Sequence, residues 1–202
     1  MALHRLDSIT LGVPDVEAAA IFYRDFGLID LGEGRFATTD GGHQLTLTAT
    51  PTRRLVLAVF AVDDADDLDR ARSGLHRLGI DSVRTDGRLS AVEPGTATPI
   101  ELMVAPRLDQ PRYEAPPVNG PGRVDRSNAR ANAVVLDEPV QPRRLGHIVL
   151  GSPDFDRSYA FFADALGFKV SDVVRDVGVF LRCSTDHHNV LVQRAPVPFI
   201  HH

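Results

Sequence analysis

Two stretches of the chain share one pattern: residues 6–15 read LDSITLGVPD, and residues 145–154 read LGHIVLGSPD. Six of the ten positions are identical, at an offset of 139 residues. Each stretch alternates in polarity as a half-buried strand does, and each ends in a Pro-Asp pair, which suits the first turn of a helix. The sequence therefore predicts the same strand followed by the same helix, twice.

The similarity continues beyond these stretches. FYRD at 22–25 corresponds to FFAD at 161–164, and Gly27 corresponds to Gly167 with one residue inserted. DGGHQLTLTATP at 40–51 then aligns with TDHHNVLVQRAP at 185–196, at an offset of 145. We call residues 6–51 copy 1 and residues 145–196 copy 2.

Each copy is interpreted as a βαβββ unit. After the first strand, a helix of about 12 residues should carry its apolar side chains on one face and end at a glycine. Short strands joined by turns follow, among them 34–39 and 44–48 in copy 1 and 177–183 and 189–194 in copy 2. The predicted apolar helix faces are Ile21, Phe22 and Phe26 in copy 1 and Tyr159, Phe162 and Leu166 in copy 2.

A further unit is expected between the two copies. It comprises a strand at 55–62, a helix at 63–78 that opens with acidic residues, and strands at 82–84, 89–93 and 100–104. The sequence thus predicts an α+β fold of tandem βαβββ units. The predicted domains are an N-terminal two-unit domain (1–105), a proline-rich linker (106–142) and an incomplete C-terminal domain (143–202). VPFIHH at 197–202 would begin a fourth unit, which we expect to continue beyond residue 202.

The composition excludes several classes of protein. With 43% apolar residues and a net charge of −5, the 202-residue chain is neither disordered nor built to bind nucleic acid. The longest apolar run, 55–62, is too short to cross a membrane. The only cysteine, Cys183, cannot form an internal disulfide and is interpreted as a small apolar side chain. A cytoplasmic location is therefore expected.

The repeat and its histidines resemble the vicinal oxygen chelate superfamily (glyoxalases, bleomycin resistance proteins and dioxygenases). The resemblance is carried by RLGHIVLGSPDF around His147, STDHHNVLV at 184–192 and PFIHH at 198–202. Their order is most similar to that of the type I extradiol catechol dioxygenases. The resemblance covers nearly the whole chain and implies cleavage of a catechol by dioxygen at Fe(II), held by two histidines and one glutamate.

Carried onto this sequence, the resemblance implies that His147 and His202 are metal ligands. The glutamate ligand would lie on the last strand of the fourth unit and is expected beyond residue 202. Two imidazoles and one carboxylate on one face of Fe(II) leave positions open for the two oxygens of a catechol and for dioxygen. The resemblance also implies that His188 is the catalytic acid–base and a substrate-binding residue, a role that suits imidazole because it can exchange protons near neutral pH.

Simpler interpretations of the same residues stay open. His147 could be a hydrogen-bonded core histidine, and His202 could belong to a frayed end or a tag. His187 could replace His188 in catalysis, although neighbouring residues of a strand face opposite ways. Val149 is expected to line the substrate pocket by resemblance, and from the sequence alone it is equally a core residue.

Copy 1 is expected to hold no metal. Ser8 stands at the position of His147, and Leu57 stands at that of His202. Glu101 occupies the position of the glutamate ligand in its own unit, but is interpreted as a solvated strand residue. His43 aligns with His188 and is expected to have no catalytic role.

Three functions are compatible with this pattern. The first is an Fe(II)-dependent extradiol dioxygenase, inactive or impaired as the 202-residue chain, with a catechol and dioxygen as its partners. The second is a metal-independent protein that binds or sequesters small molecules, as bleomycin resistance proteins do. The third, a glyoxalase-like isomerase or lyase, fits a four-unit plan less well. A homo-oligomer is expected in each case, since open strand edges favour association.

Overall fold

The computed structural model describes residues 3–110, 117–128 and 140–202. Its larger sheet has eight strands in the order β2-β3-β4-β1-β5-β8-β7-β6, so that two four-stranded halves meet where β1 and β5 pair. The elements of copy 1 are β1 (Leu3–Val13), α1 (Val16–Asp25), β2 (Ile29–Gly32), β3 (Arg35–Thr38) and β4 (Gly42–Ala49). Those of the second unit are β5 (Arg54–Val62), α2 (Ala65–Arg77), β6 (Ser82–Thr85), β7 (Arg88–Glu93) and β8 (Thr98–Val104).

The smaller sheet belongs to copy 2 and has five strands in the order β10-β11-β12-β9-β13. Its elements are β9 (Ile148–Ser152), α3 (Phe155–Ala160), a π-helical turn (Phe161–Ala165), β10 (Lys169–Val174), β11 (Gly178–Arg182), β12 (Val190–Arg194) and β13 (Phe199–Ile200). Both sheets contain parallel and antiparallel strand pairs. Along the chain, a helix follows the first strand of each unit and precedes the other strands. The α+β fold of tandem βαβββ units is confirmed.

The strand registers repeat along with the sequence. In copy 1, Ile9 pairs with Leu45 in parallel, and the residues at the expected offsets, Ile148 and Val190, pair in the same way. The short strand β13 lies antiparallel to β9 with Ile200 opposite Leu150. This register reproduces that of β5 against β1, in which Leu55 lies opposite Leu11. β13 therefore occupies the place of a unit's first strand.

The helix of copy 2 departs from the regular helix that the sequence predicts. The α-helix stops at Ala160, and a π-helical turn follows in which the Leu166 amide donates to the Phe161 carbonyl over 3.1 Å. A π-turn holds one more residue than an α-turn, and it lies within the segment where copy 2 is one residue longer than copy 1. The inserted residue is absorbed there, and Gly167 still ends the helix with a positive φ, as Gly27 does in copy 1.

The predicted apolar face of α1 is not buried. The described side chains of Ile21, Phe22 and Phe26 are 48%, 59% and 57% exposed, and α1 has no buried residue. In copy 2, Phe162 and Leu166 are buried as predicted, because that segment packs against α2. The two helical segments approach so closely at Gly74 that a Cβ there would clash with the Ala165 carbonyl oxygen.

Other boundaries differ from the predicted ones. The explicit strand predictions omitted β2 and β10, which are the exposed edge strands of their sheets and carry weak alternation. The strand predicted from Leu145 begins three residues later, at Ile148, so His147 precedes it. Of the predicted linker, residues 111–116 and 129–139 lie outside the described residues. None of the helices described has the length and apolarity needed to cross a bilayer.

Candidate metal and substrate site

Three histidines from three separate segments meet at one edge of the smaller sheet. His147 directly precedes β9, His188 lies in the loop before β12, and His202 follows β13. The backbone of Val149 holds the third segment: its amide donates to the His202 carbonyl over 2.8 Å, and its carbonyl accepts from the His201 amide over 2.9 Å. The pairing of β9 with its two neighbours therefore brings the histidines together.

The rings of these histidines lie in contact distance of one another. The Nε2 atoms of His147 and His202 are 3.1 Å apart, with their ring planes nearly perpendicular. The centroid of the His188 ring lies 4.3 Å from that of His147. We call His147, His188 and His202 the histidine cluster. The sequence named all three as site residues, and the structure places them together.

Two of these nitrogens are placed as ligands of one metal ion would be. Nitrogens bonded at about 2.1 Å to the same ion and at right angles to each other lie about 3 Å apart. The Nε2 separation of His147 and His202 matches this value. A 2-His-1-carboxylate centre needs a third donor. Among residues 3–110, 117–128 and 140–202, no group of three or more ligating side chains is arranged to hold a metal. The cluster thus fits two ligands of such a centre.

His187 and His201 lie beside the cluster but are oriented differently. His187 is exposed, its ring contacts Phe180, and its Nδ1 lies 3.1 Å from the Nδ1 of His188. His201 lies next to His202, with its ring against Phe199. Because the Nδ1 of His188 faces His187, its Nε2 is the nitrogen that remains for a ligand.

An ion pair that sequence reasoning missed supports the cluster. The Arg144 guanidinium donates two hydrogen bonds, of 2.6 and 2.5 Å, to the Asp186 carboxylate. Burial alone would raise the pKa of Asp186, but its hydrogen bonds, first that of Arg144, hold the pKa below its usual value. Both residues are close in sequence to a histidine of the cluster, which is the signal that could have found them.

Burial also changes the titration of the cluster. Desolvation lowers the pKa of His147, and the neighbouring His202 lowers it further, while Asp186 acts in the opposite direction. The pKa of His188 is lowered by desolvation and by the imidazoles around it. Both rings therefore favour the neutral form at pH 7, which is the form that binds metals and accepts protons.

A cavity of about 240 Å³ adjoins the cluster. His147 and His202 are part of its lining, whereas His188 is not. The apolar part of the lining comes largely from copy 1, including Ile9, Leu11, Tyr23, Phe26, Leu28 and Phe36. Such a surface suits an apolar or aromatic ligand. Val149 does not belong to this lining; its side chain is 2% exposed, and strand alternation places it on the face of His147.

The equivalent positions of copy 1 hold no comparable cluster. Ser8 lies opposite Val59 on β5, and Val59 in turn lies beside Glu101 on β8. Glu101 is not solvated as expected, since its carboxylate pairs with Arg88 and its side chain is 16% exposed. His43 is exposed, and its Nε2 lies 2.9 Å from the Thr46 hydroxyl. The described residues of copy 1 therefore bring no pair of imidazoles together.

Fold and site together describe a protein of tandem βαβββ units in which three histidines lie together. The model of the Glyoxalase/Bleomycin resistance protein/Dioxygenase superfamily matches residues 5–90 and 144–202, and the chain belongs to this superfamily. Within it, the chain is distantly homologous to extradiol catechol dioxygenases. It is 29% identical over 220 residues to a biphenyl-2,3-diol 1,2-dioxygenase of Paraburkholderia xenovorans, and 25% identical to metapyrocatechase 2 of Cupriavidus necator.

Solved structures show the same architecture over part of their length. An Mn(II)-bound glyoxalase from Novosphingobium aromaticivorans superimposes with a TM-score of 0.70 at 25% identity, over 98% of this chain and 64% of its own. A halotolerant catechol dioxygenase, BphC, gives a TM-score of 0.70 at 18% identity, over 99% of this chain and 68% of its own, which shows the fold. The chain spans 70% of the P. xenovorans protein and 64% of metapyrocatechase 2.

Proposed function

We propose that the histidine cluster is part of an Fe(II)-dependent extradiol dioxygenase site that cleaves a catechol with dioxygen. The observation that carries this proposal is the 3.1 Å separation of the His147 and His202 Nε2 atoms, with the His188 ring tilted against His147 at a centroid distance of 4.3 Å. The homology to catechol dioxygenases supports the reaction class.

In this proposal His147 and His202 hold the iron, and a carboxylate from outside the described residues completes the set. Bound Fe(II) would supply the Lewis acidity and redox chemistry that couple a catechol to dioxygen. Because both imidazoles are neutral ligands, they leave most of the metal's charge uncancelled, which favours binding of an anionic diol.

The remaining chemistry is assigned to this chain's own side chains. The Nε2 of His188 accepts a proton from a hydroxyl of the diol and later returns it, since its lowered pKa keeps it unprotonated before substrate binds. The apolar cavity walls exclude water and bind the part of the ligand away from the diol. Val149 stays a prediction as a residue that lines the substrate pocket, on the side where dioxygen would bind.

Metal binding tests the ligand assignment without any need for activity. Co²⁺, added anaerobically to the purified 202-residue chain and followed by calorimetry, should bind at one site and with modest affinity, because the chain supplies two imidazoles. His147→Ala and His202→Ala should each abolish this binding. His43→Ala is the matched control and should leave it unchanged. Equal binding by all four proteins would overturn the assignment.

Ring cleavage tests the reaction. The protein loaded with Fe(II) is offered catechol and 2,3-dihydroxybiphenyl, and a yellow product is the readout. Turnover is expected to be weak, because the described residues supply two imidazole ligands and no carboxylate. Replacement of His188 by Phe should lower turnover by about 10²–10⁴-fold, the usual contribution of acid–base catalysis. Iron that is bound stoichiometrically without product from any diol would count against the enzyme.

One observation favours a second function, metal-independent binding of a small molecule. The cavity is largely apolar and lies against the cluster, while the described residues supply no third ligand. Titration of the metal-free protein with an aromatic diol, in the presence of a chelator, separates the two functions. Tight binding that iron does not strengthen would support the binder.

A further inference from the structure

A buried side-chain amide lies between the segments that carry His147 and His188. Asn189 is 1% exposed and directly follows His188. A buried amide is costly unless its oxygen and its nitrogen both find hydrogen-bond partners. Both do here, and their partners belong to the two histidine-bearing segments.

The Oδ1 atom of Asn189 shapes the loop before β12. It accepts hydrogen bonds from the Cys183 amide at 2.9 Å, the Ser184 amide at 3.1 Å and the Ser184 hydroxyl at 3.0 Å. These contacts close the loop of residues 183–189 on its own last residue. The position of His188 within that loop is therefore fixed from one side.

The rest of Asn189 holds the segment around His147. Its Nδ2 donates to the Gly146 carbonyl at 3.1 Å, and its own carbonyl accepts from the Ile148 amide at 3.0 Å. The residues on either side of His147 thus bind the same partner. Nδ2 also lies 3.4 Å from the Oδ2 of Asp186, which Arg144 holds in place.

Copy 1 contains the same bridge at the equivalent position. Gln44, which aligns with Asn189, is buried and donates from Nε2 to the Asp7 carbonyl at 2.8 Å, and Asp7 aligns with Gly146. The bridge is therefore a property of the unit. In copy 1 it binds the residue before Ser8, and in copy 2 it binds the residue before His147. The oxygen ends differ, since Gln44 Oε1 accepts from the Leu145 amide at 2.7 Å.

We propose that Asn189 is a positioning residue, which sets the distance and tilt between the His147 and His188 rings through its bridge to Gly146. The inference rests on the proposed function for its purpose, since proton exchange at His188 requires the diol to lie between a fixed base and a fixed ligand. Its geometric content can be tested without metal, substrate or activity.

Asn189→Asp removes the hydrogen bond to Gly146 while keeping the contacts that shape the loop. A carboxylate keeps the size of the side chain and can accept from Cys183 and Ser184, but it cannot donate to the Gly146 carbonyl, and Asp186 repels it. Asn189→Ser removes the donor arm without adding charge, and serves if the aspartate variant does not fold.

The measurement is the ring-to-ring nuclear Overhauser effect between His147 and His188 in protein with isotope-labelled histidines, assigned with His→Gln variants. The parent protein should show this contact. Asn189→Asp and Asn189→Ser should lose it while their other backbone resonances stay folded. Ser158→Ala is the matched control: it removes a buried 2.7 Å hydrogen bond to Ser152 in the same unit, and should keep the contact.

The outcomes separate this inference from the proposed function. If the folded Asn189 variants keep the contact, or if the parent protein lacks it, the positioning role is refuted. If the contact is lost in them but no iron or diol is bound by the parent protein, the positioning role stands and the dioxygenase proposal fails. Where turnover is measurable, kcat should fall in Asn189→Ser with the KM for the diol little changed.

Discussion

Copy 1 and copy 2 have the same strand registers and the same amide bridge. They differ in the packing of the helix surface and in the side chains at the histidine positions. Copy 2 packs its helical segment on α2 and brings three histidines together, whereas copy 1 leaves the Phe22 and Phe26 face of its helical segment exposed and has Ser8 where copy 2 has His147. The backbone scaffold is thus independent of the chemistry. Contacts to neighbouring elements decide which helix face is buried, and a few side chains distinguish the copy with the histidine cluster from the copy without it.

The largest expected difference concerns one aligned pair of phenylalanines. Phe161 is fully buried, while its counterpart Phe22 is 59% exposed. We expect Phe161→Ala to lower the free energy of unfolding by about 3–5 kcal/mol, as for other buried aromatic residues. Phe22→Ala should change it by less than about 0.5 kcal/mol. Urea denaturation measures both, and similar losses in the two variants would contradict the assigned burial.

The helix contact that copy 1 lacks can be disturbed at its closest point. Gly74→Ala places a Cβ against the Ala165 carbonyl oxygen, and we expect a loss of about 1–3 kcal/mol, typical of overpacking. Ser73→Ala, on the exposed side of the same helix, is the control and should lie within about 0.5 kcal/mol of the parent protein. A neutral or stabilising Gly74→Ala would show that the two helical segments are not in close contact.

A smaller effect follows from making copy 2 resemble copy 1. The pKa of His147 in the folded protein lies below its ordinary value of 6.5. The unfolded state therefore binds more protons as the pH falls through this range, so His147 makes the protein less stable at pH 5 than at pH 7. In His147→Ser the difference in unfolding free energy between pH 7 and pH 5 should be smaller than in the parent protein.

Thermal unfolding across pH 5–7, with a chelator present, measures this change. His43→Ser is the control, because His43 is exposed and lies outside the histidine cluster, and it should follow the parent protein. An unchanged pH slope in His147→Ser would contradict the assigned burial of that ring.

Substitutions on the exposed face of α1 should have the smallest effect on stability, but they should change self-association. The rings of Phe22 and Phe26 stack at 6.0 Å on an exposed surface, and an exposed apolar patch favours self-association. Phe22→Glu should shift sedimentation toward the monomer and leave the unfolding midpoint nearly unchanged. Val83→Glu, another exposed apolar position, should leave association as it is. If both variants associate as the parent protein does, α1 is not the contacting surface.

Much of this architecture could be predicted because residues at equivalent positions of a repeat form the same strand pairs. The offsets of 139 and 145 that align the copies also predict which residues pair in β1–β4 and β9–β12. The same alignment brings His147 and His202 to neighbouring strands. The histidine cluster was predictable for this reason, although which sheet face each ring takes rests on loop geometry that the sequence pattern does not encode.

Burial was harder to predict than pairing. Phe22 and Phe26 show the helical spacing of a buried face, but spacing indicates only that a face is apolar, and burial needs a second element to cover it. The role of Asn189 was also missed, since polar residues of loops carry no periodic signal. Its alignment with Gln44 was the available clue, because two buried amides at one repeat position indicate a shared backbone contact.

The π-helical turn at Phe161–Ala165 has a consequence for how the two copies diverged after duplication. An added residue in a strand would reverse every side chain beyond it, whereas this one is held inside a helix and leaves the pairing of β9 with β12 in the register of β1 with β4. Copy 2 could therefore lengthen and reshape its helix surface without disturbing the pairing that positions its histidines. The helix of a repeated unit can in this way change its length without altering the strand pairing that positions the site.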